Sequence, residues 1–153
     1  MAEFTASIEI AAAPEEVFDY FVTDAGITAW MGQYASLDAR PGGGFAVDIA
    51  GYPVRGEYLV VERPSRVVVS WGFAGNDELP PGASTVSFTL TPTATGTLVA
   101  LTHSDLPAPQ LAGYAAGWGH FLPRLRLAGA GRDAGPDDWA PVAQETDQPQ
   151  KRS

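Results

Sequence analysis

PQLAGYAAGWGHFLPRLRLA, residues 109–128, is the one long helical pattern in a chain otherwise written in short strand-like segments. Leu111, Tyr114, Trp118, Leu122 and Leu125 recur at spacings of three and four, which sets them on one face of a helix. A single helix with that much apolar surface needs a large partner, and the preceding strands offer only a sheet. The stretch therefore predicts an α+β domain in which a curved antiparallel sheet wraps a C-terminal helix and leaves a cavity between the two.

Upstream, Glu3 to Ile10 alternates, with Phe4, Ala6, Ile8 and Ile10 on one side, as in a half-buried first strand. Pro14 then opens a short helix, followed in its first turn by Glu15 and Glu16 and carrying Val17, Phe18 and Phe21 on its apolar side. Asp24 is the expected cap of a second short helix ending near Trp30. From Tyr34 the period changes to two, through segments centred on Val47, Tyr58, Val69, Phe88 and Leu101, separated by turns such as Gly51-Tyr52-Pro53, Pro64-Ser65 and Thr95-Gly96. Such short connections imply antiparallel neighbours. The expected order is one strand, two short helices, six strands and the long helix.

At 153 residues the chain reads as one domain over 1–130. Residues 131–153, rich in Pro, Gly, Asp and Gln, read as a largely mobile tail, with Trp139 as the residue able to pack back. A net charge of −9, with Lys151 the sole lysine, opposes binding to nucleic acid or anionic membranes. Cysteine is absent, which removes disulfides, thiolate metal sites and a cysteine nucleophile. With no basic leader and no apolar run near the ~20 residues of a membrane span, the expected location is the cytoplasm.

Chemistry-bearing motifs are few. His103-Ser104-Asp105 spells a hydrolase triad, but successive strand side chains point to opposite faces and do not converge. His103 shares a face with Val99 and Leu101, and is either a structural histidine or a ligand contact. His120 has no metal-ligand spacing to His103, so neither a metal nor a cofactor is expected. Pro41-Gly42-Gly43-Gly44 lacks the Gly-Lys-Ser/Thr ending of a phosphate loop and reads as a bend between strands. Gly113 and Gly117 suit close approach of the helix to the sheet. Pro123 removes a helical hydrogen bond and predicts a bend near Gly119.

Several local patterns carry a wider likeness: Ala13-Pro14-Glu15-Glu16-Val17-Phe18, Trp30-Met31, Pro41-Gly42-Gly43 with Phe45, Gly56, and Arg63-Pro64 before Val67-Val68-Val69-Ser70-Trp71. Gly96-Thr97, Leu101-Thr102-His103 and Gly117-Trp118 with Leu122 and Leu125 complete the series. In this order the chain resembles the SRPBCC, or START-like, helix-grip superfamily, in particular the branch similar to the homologue of the heat-shock-protein-90 ATPase activator. The resemblance implies a seven-stranded antiparallel sheet gripping the C-terminal helix around a hydrophobic cavity, and an apolar ligand such as a lipid, sterol or polyketide. Gly119, where an acidic residue often follows the Gly-Trp pair, and Pro123 depart from the pattern.

The expected cavity lining takes the large residues of the inward faces. These are Trp30, Tyr34, Phe45, Val47 and Tyr58 from the first half, with Trp71, Phe88, Leu101 and His103 from the later strands. Tyr114, Trp118, Phe121 and Leu122 come from the long helix. The expected function is binding of a small apolar or aromatic molecule, without catalytic residues. One alternative is a cyclase or aromatase in which Tyr58, His103 or Tyr114 moves protons, which requires at least two of them to meet in the cavity. Another is a chaperone regulator, or a protector that sequesters a toxic metabolite.

Overall fold

Seven strands form one antiparallel sheet in the order β1-β7-β6-β5-β4-β3-β2. The structure, a computed structural model, describes residues 2–140. The strands are β1 (Ala2–Ile10), β2 (Tyr34–Leu37), β3 (Gly44–Ile49), β4 (Tyr52–Glu62), β5 (Arg66–Trp71), β6 (Ser84–Pro92) and β7 (Thr97–Leu106). Helices α1 (Pro14–Val22) and α2 (Asp24–Thr28) connect β1 to β2, and α3 (Leu111–Gly129) follows β7 after a 3-10 turn over Ala108–Gln110. The helix-grip architecture implied by the sequence is the observed one.

Consecutive strands from β2 to β7 are antiparallel neighbours, joined by short turns except for the 72–83 connection between β5 and β6, while β1 pairs with β7, the first described strand with the last. Gly56 permits the close pairing of β4 and β5: any Cβ there would overlap the Ser70 carbonyl, and a shift of register follows between Tyr58 and Val60. Pro14 occupies the start of α1, with Glu15 and Glu16 in its first turn and Val17, Phe18 and Phe21 buried. The cap of α2 lies one residue earlier than expected. Thr23 Oγ1 accepts the Gly26 N–H at 2.9 Å, whereas the Asp24 carboxylate accepts the Leu37 N–H at 2.9 Å and ties α2 to β2.

The 38–43 bend contains Gly42 at φ 87°, and Gly43 crosses so near Asp38 that a side chain would meet its carbonyl, so the glycine run turns the chain as expected. Asp48 pairs with Arg55 at 2.9 Å on the outer face.

Helix α3 runs from Leu111 to Gly129 as one element, with Gly119 and Pro123 both exposed. A Cβ at Gly119 would meet nothing within 4 Å. Gly119→Ala is therefore expected to stabilise the fold by about 0.5–1 kcal/mol, read as a higher urea midpoint at unchanged slope. A lower midpoint would mean that the helix around Pro123 requires glycine at this position.

Candidate functional site

A chain of aromatic contacts fills the interior between the sheet, the short helices and the middle of α3. Phe21 lies 4.5 Å from Phe88 and 5.8 Å from Trp30, and Phe88 lies 5.9 Å from Trp118. Trp71 continues the series at 5.4 Å from Trp118 and 6.0 Å from Phe45, which lies 5.7 Å from Tyr58. Trp30 and Tyr58 are fully buried, and both polar ends are satisfied: Trp30 Nε1–H donates to the Tyr20 carbonyl at 2.9 Å, and the Tyr58 hydroxyl donates to the Phe21 carbonyl at 2.8 Å. Burial, with Asp24 and Asp38 adding to it, pushes the Tyr58 phenol well above its usual range.

His103 belongs to this packed interior. Trp118 Nε1–H donates to Nδ1 at 3.1 Å, which makes Nε2 the protonated nitrogen of a neutral ring. Nε2–H then donates to Ser84 Oγ at 2.8 Å, and the Ser84 hydroxyl donates to the Trp71 carbonyl at 2.8 Å. The relay leaves no polar atom of the ring unpaired. Burial lowers the His103 pKa to about 3. Ser104 is half-buried on the opposite face, and Asp105, whose φ of 63° breaks the alternation of β7, is exposed, so the three consecutive residues diverge.

Where the rings stop, space begins. A cleft of about 950 Å³ opens beside the N-terminal half of α3, bounded by the 72–83 connection, the β3–β4 turn and the segment after α3. Of the residues named in the sequence analysis, Trp71, Tyr114, Trp118 and Phe121 line it. Trp30, Phe45, Val47, Tyr58, Phe88, Leu101, His103 and Leu122 are buried and stand outside its lining. Tyr34 requires a correction: it is 59% exposed, because β2 turns Ala35 and Leu37 inward and leaves Tyr34 and Ser36 to solvent.

The remaining walls were not among the expected residues. Ile49, Tyr52 and Pro53 come from the β3–β4 turn, and Phe73 and residues 74–78 from the β5–β6 connection. That connection is held by Leu79, which is buried, and by Asn76 Oδ1, which accepts the N–H groups of Glu78 at 2.8 Å and Leu79 at 3.0 Å. Gly75, Asn76 and Pro80-Pro81 are turn-forming residues, but nothing in such a signal shows which cavity the turn borders.

Trp139 supplies one further wall. The segment expected to begin a mobile tail lies, over residues 131–140, against α3. Arg124 donates to the carbonyls of Ala134 at 3.0 Å and Gly135 at 2.9 Å. Asp137, nearly buried, pairs with His120 at 2.9 Å, and its second oxygen lies 3.6 Å from Arg124 without a hydrogen bond. Trp139 stacks on His120 at 5.4 Å and meets Phe121 edge-on at 5.1 Å. Gly117 makes this possible: a Cβ there would stand 3.2 Å from Trp139 Cη2, so the small residue serves the returning segment and not the sheet. The rest of the expected tail, residues 141–153, lies outside the described residues.

Among the described residues no group of three or more His, Cys, Asp or Glu could hold a metal ion, and no helix is long and apolar enough to cross a membrane.

With this geometry in view, the family model described as "Activator of Hsp90 ATPase homolog 1-like protein" matches residues 11–128, from the approach to α1 to the end of α3. The chain belongs to this family. The family lies within the helix-grip superfamily that the sequence patterns resembled. Among solved structures, the AHSA1-like protein RHE_CH02687 from Rhizobium etli is 34% identical, with a TM-score of 0.71 over 98% of this chain and 95% of that one. CalU16 from Micromonospora echinospora is 26% identical, with a TM-score of 0.70 over 88% of this chain and 77% of that one. PFC0360w, an HSP90 activator from Plasmodium falciparum, is 24% identical, with a TM-score of 0.69 over 84% of this chain and 96% of that one, a likeness of fold alone. No protein of curated function matches the chain.

Proposed function

We propose that this member of the family binds a small apolar or aromatic molecule in the cleft beside the N-terminal half of α3. The observation that carries the reading is a space of about 950 Å³ walled by Trp71, Phe73, Tyr114, Trp118, Phe121 and Trp139, next to a core of packed aromatic rings. Ligand sites of this kind run to roughly 300–1,000 Å³ and combine apolar walls with a few polar groups. The cyclase or aromatase alternative requires two of Tyr58, His103 and Tyr114 to meet in the cavity. Tyr114 alone lines the cleft, while Tyr58 and His103 are bonded within the core. Binding without chemistry is the reading this arrangement supports best.

Titration with the neutral probe N-phenyl-1-naphthylamine is expected to give a saturable rise in fluorescence. Ala112, exposed on α3 and lining the cleft, offers a plug: Ala112→Trp should weaken binding at least about tenfold, equivalent to about 1.4 kcal/mol, at unchanged stability. A linear, unsaturable signal, or equal binding by the plugged variant, would contradict the reading.

A further inference from the structure

Among the described residues, one buried side-chain donor has no hydrogen-bond partner, and it belongs to a wall of the cleft: the indole Nε1–H of Trp71. The other buried donors nearby are all used. Trp118 donates to His103, His103 to Ser84, and Ser84 to the Trp71 carbonyl. The Trp71 ring packs against His103 and Trp118, whose ring centres lie 5.7 and 5.4 Å away. Buried polar groups are rarely left unpaired, and such a group in a binding site is a place for a ligand atom.

The charge of the cleft narrows the ligand further. No Lys or Arg is among its lining residues, while Asp77 and Glu78 stand on its β5–β6 side. Gln110 Nε2 donates to Glu78 Oε1 at 2.9 Å and holds that carboxylate beside the start of α3. An anion entering here would be desolvated among aromatic rings, and the charged side chains of the lining, Asp77 and Glu78, would repel it.

Resting on the binding role proposed above, we infer that Trp71 is the specificity-determining residue of the cleft, donating its indole N–H to the acceptor atom of an uncharged aromatic ligand, such as a ring ketone, and that the carboxylates of Asp77 and Glu78 turn carboxylates and phosphates away. The rings recognise the hydrocarbon skeleton, Trp71 recognises the carbonyl, and the acidic side selects against anions.

Three ligands with one tricyclic skeleton separate these contributions: fluorene, 9-fluorenone and fluorene-9-carboxylate, each used to displace N-phenyl-1-naphthylamine from the full chain. Fluorenone is expected to bind about tenfold more tightly than fluorene, the ordinary worth of one buried hydrogen bond, and the carboxylate about tenfold more weakly than fluorene at low salt. In a 1H–15N spectrum, the Trp71 indole resonance should move downfield with fluorenone and not with fluorene. Trp71→Phe should bind the two equally. Because that variant disturbs the core, the wild-type resonance stands as an independent reading. Equal affinity for fluorene and fluorenone with an unmoved Trp71 resonance would overturn this inference and leave the binding role standing; so would tightest binding of the carboxylate. Failure of all three ligands together with unsaturable probe binding would overturn both.

Discussion

Trp118→Ala is expected to remove most of the stability of this protein. The indole is 2% exposed and touches Trp71, Phe88 and His103, so truncation opens a cavity at the centre of the aromatic chain. Losses of about 3–5 kcal/mol accompany Trp→Ala or Phe→Ala in a core. The same change leaves His103 Nδ1 buried without its donor, which costs about 1–3 kcal/mol more. Domains of this size have roughly 5–15 kcal/mol in total. Trp118→Phe keeps much of the ring and loses the donor, so it should recover most of the packing contribution. Urea unfolding of the two variants separates the contributions; a cost below about 2 kcal/mol for Trp118→Ala would show that the ring is not the keystone described.

The second large effect is a dependence of stability on pH carried by His103. In the unfolded chain its imidazole titrates near about 6.5, whereas in the fold burial holds its pKa at about 3. Between these values the unfolded state binds a proton that the folded state refuses. Stability is therefore fully present above the unfolded value and is lost as pH falls toward 3, at about 1.4 kcal/mol per pH unit, or about 3 kcal/mol by pH 4. The groups packed on the ring, Ser84, Trp71, Tyr114 and Trp118, do not titrate in that window. Glu9 also contributes acid sensitivity, since bonds from Thr93 and Thr95 lower its pKa and that stability is lost at lower pH. Comparison with His103→Gln, which does not titrate there, isolates the histidine. Unfolding free energies of the two proteins should diverge from pH 7 to pH 4, and parallel curves would contradict the buried neutral ring.

Periodicity carried most of the fold. The helix from Leu111 onward and the alternation of β3 to β7 are local patterns, and each points its apolar residues to the side where the partner element is found. Tyr34 failed for a local reason as well: β2 is a four-residue edge strand, and its inward positions hold the small Ala35 and Leu37 while the tyrosine faces water. His103 was legible as an inward residue but not its role, because its partners Ser84 and Trp118 lie 19 and 15 residues away.

The cleft was the least legible feature. Its position depends on which rings fill the interior, and alternation tells inward from outward without telling filled from empty. Phe88 and Tyr58 share a sheet face with Trp71, yet they stand outside the lining of the cleft, which Trp71 borders. The segment carrying Trp139 is fixed by Arg124, His120 and Asp137, polar residues that follow no period.

The most direct test of the account is the location of a bound ligand. In a 1H–15N titration of the full chain with N-phenyl-1-naphthylamine, the indole resonances of Trp71, Trp118 and Trp139 and the amides of residues 74–78 and 112–118 should shift together to saturation. Resonances of α1, α2 and β2 should stay in place. Shifts confined to those distant elements, or scattered over the outer face of the sheet with the cleft unmoved, would contradict it.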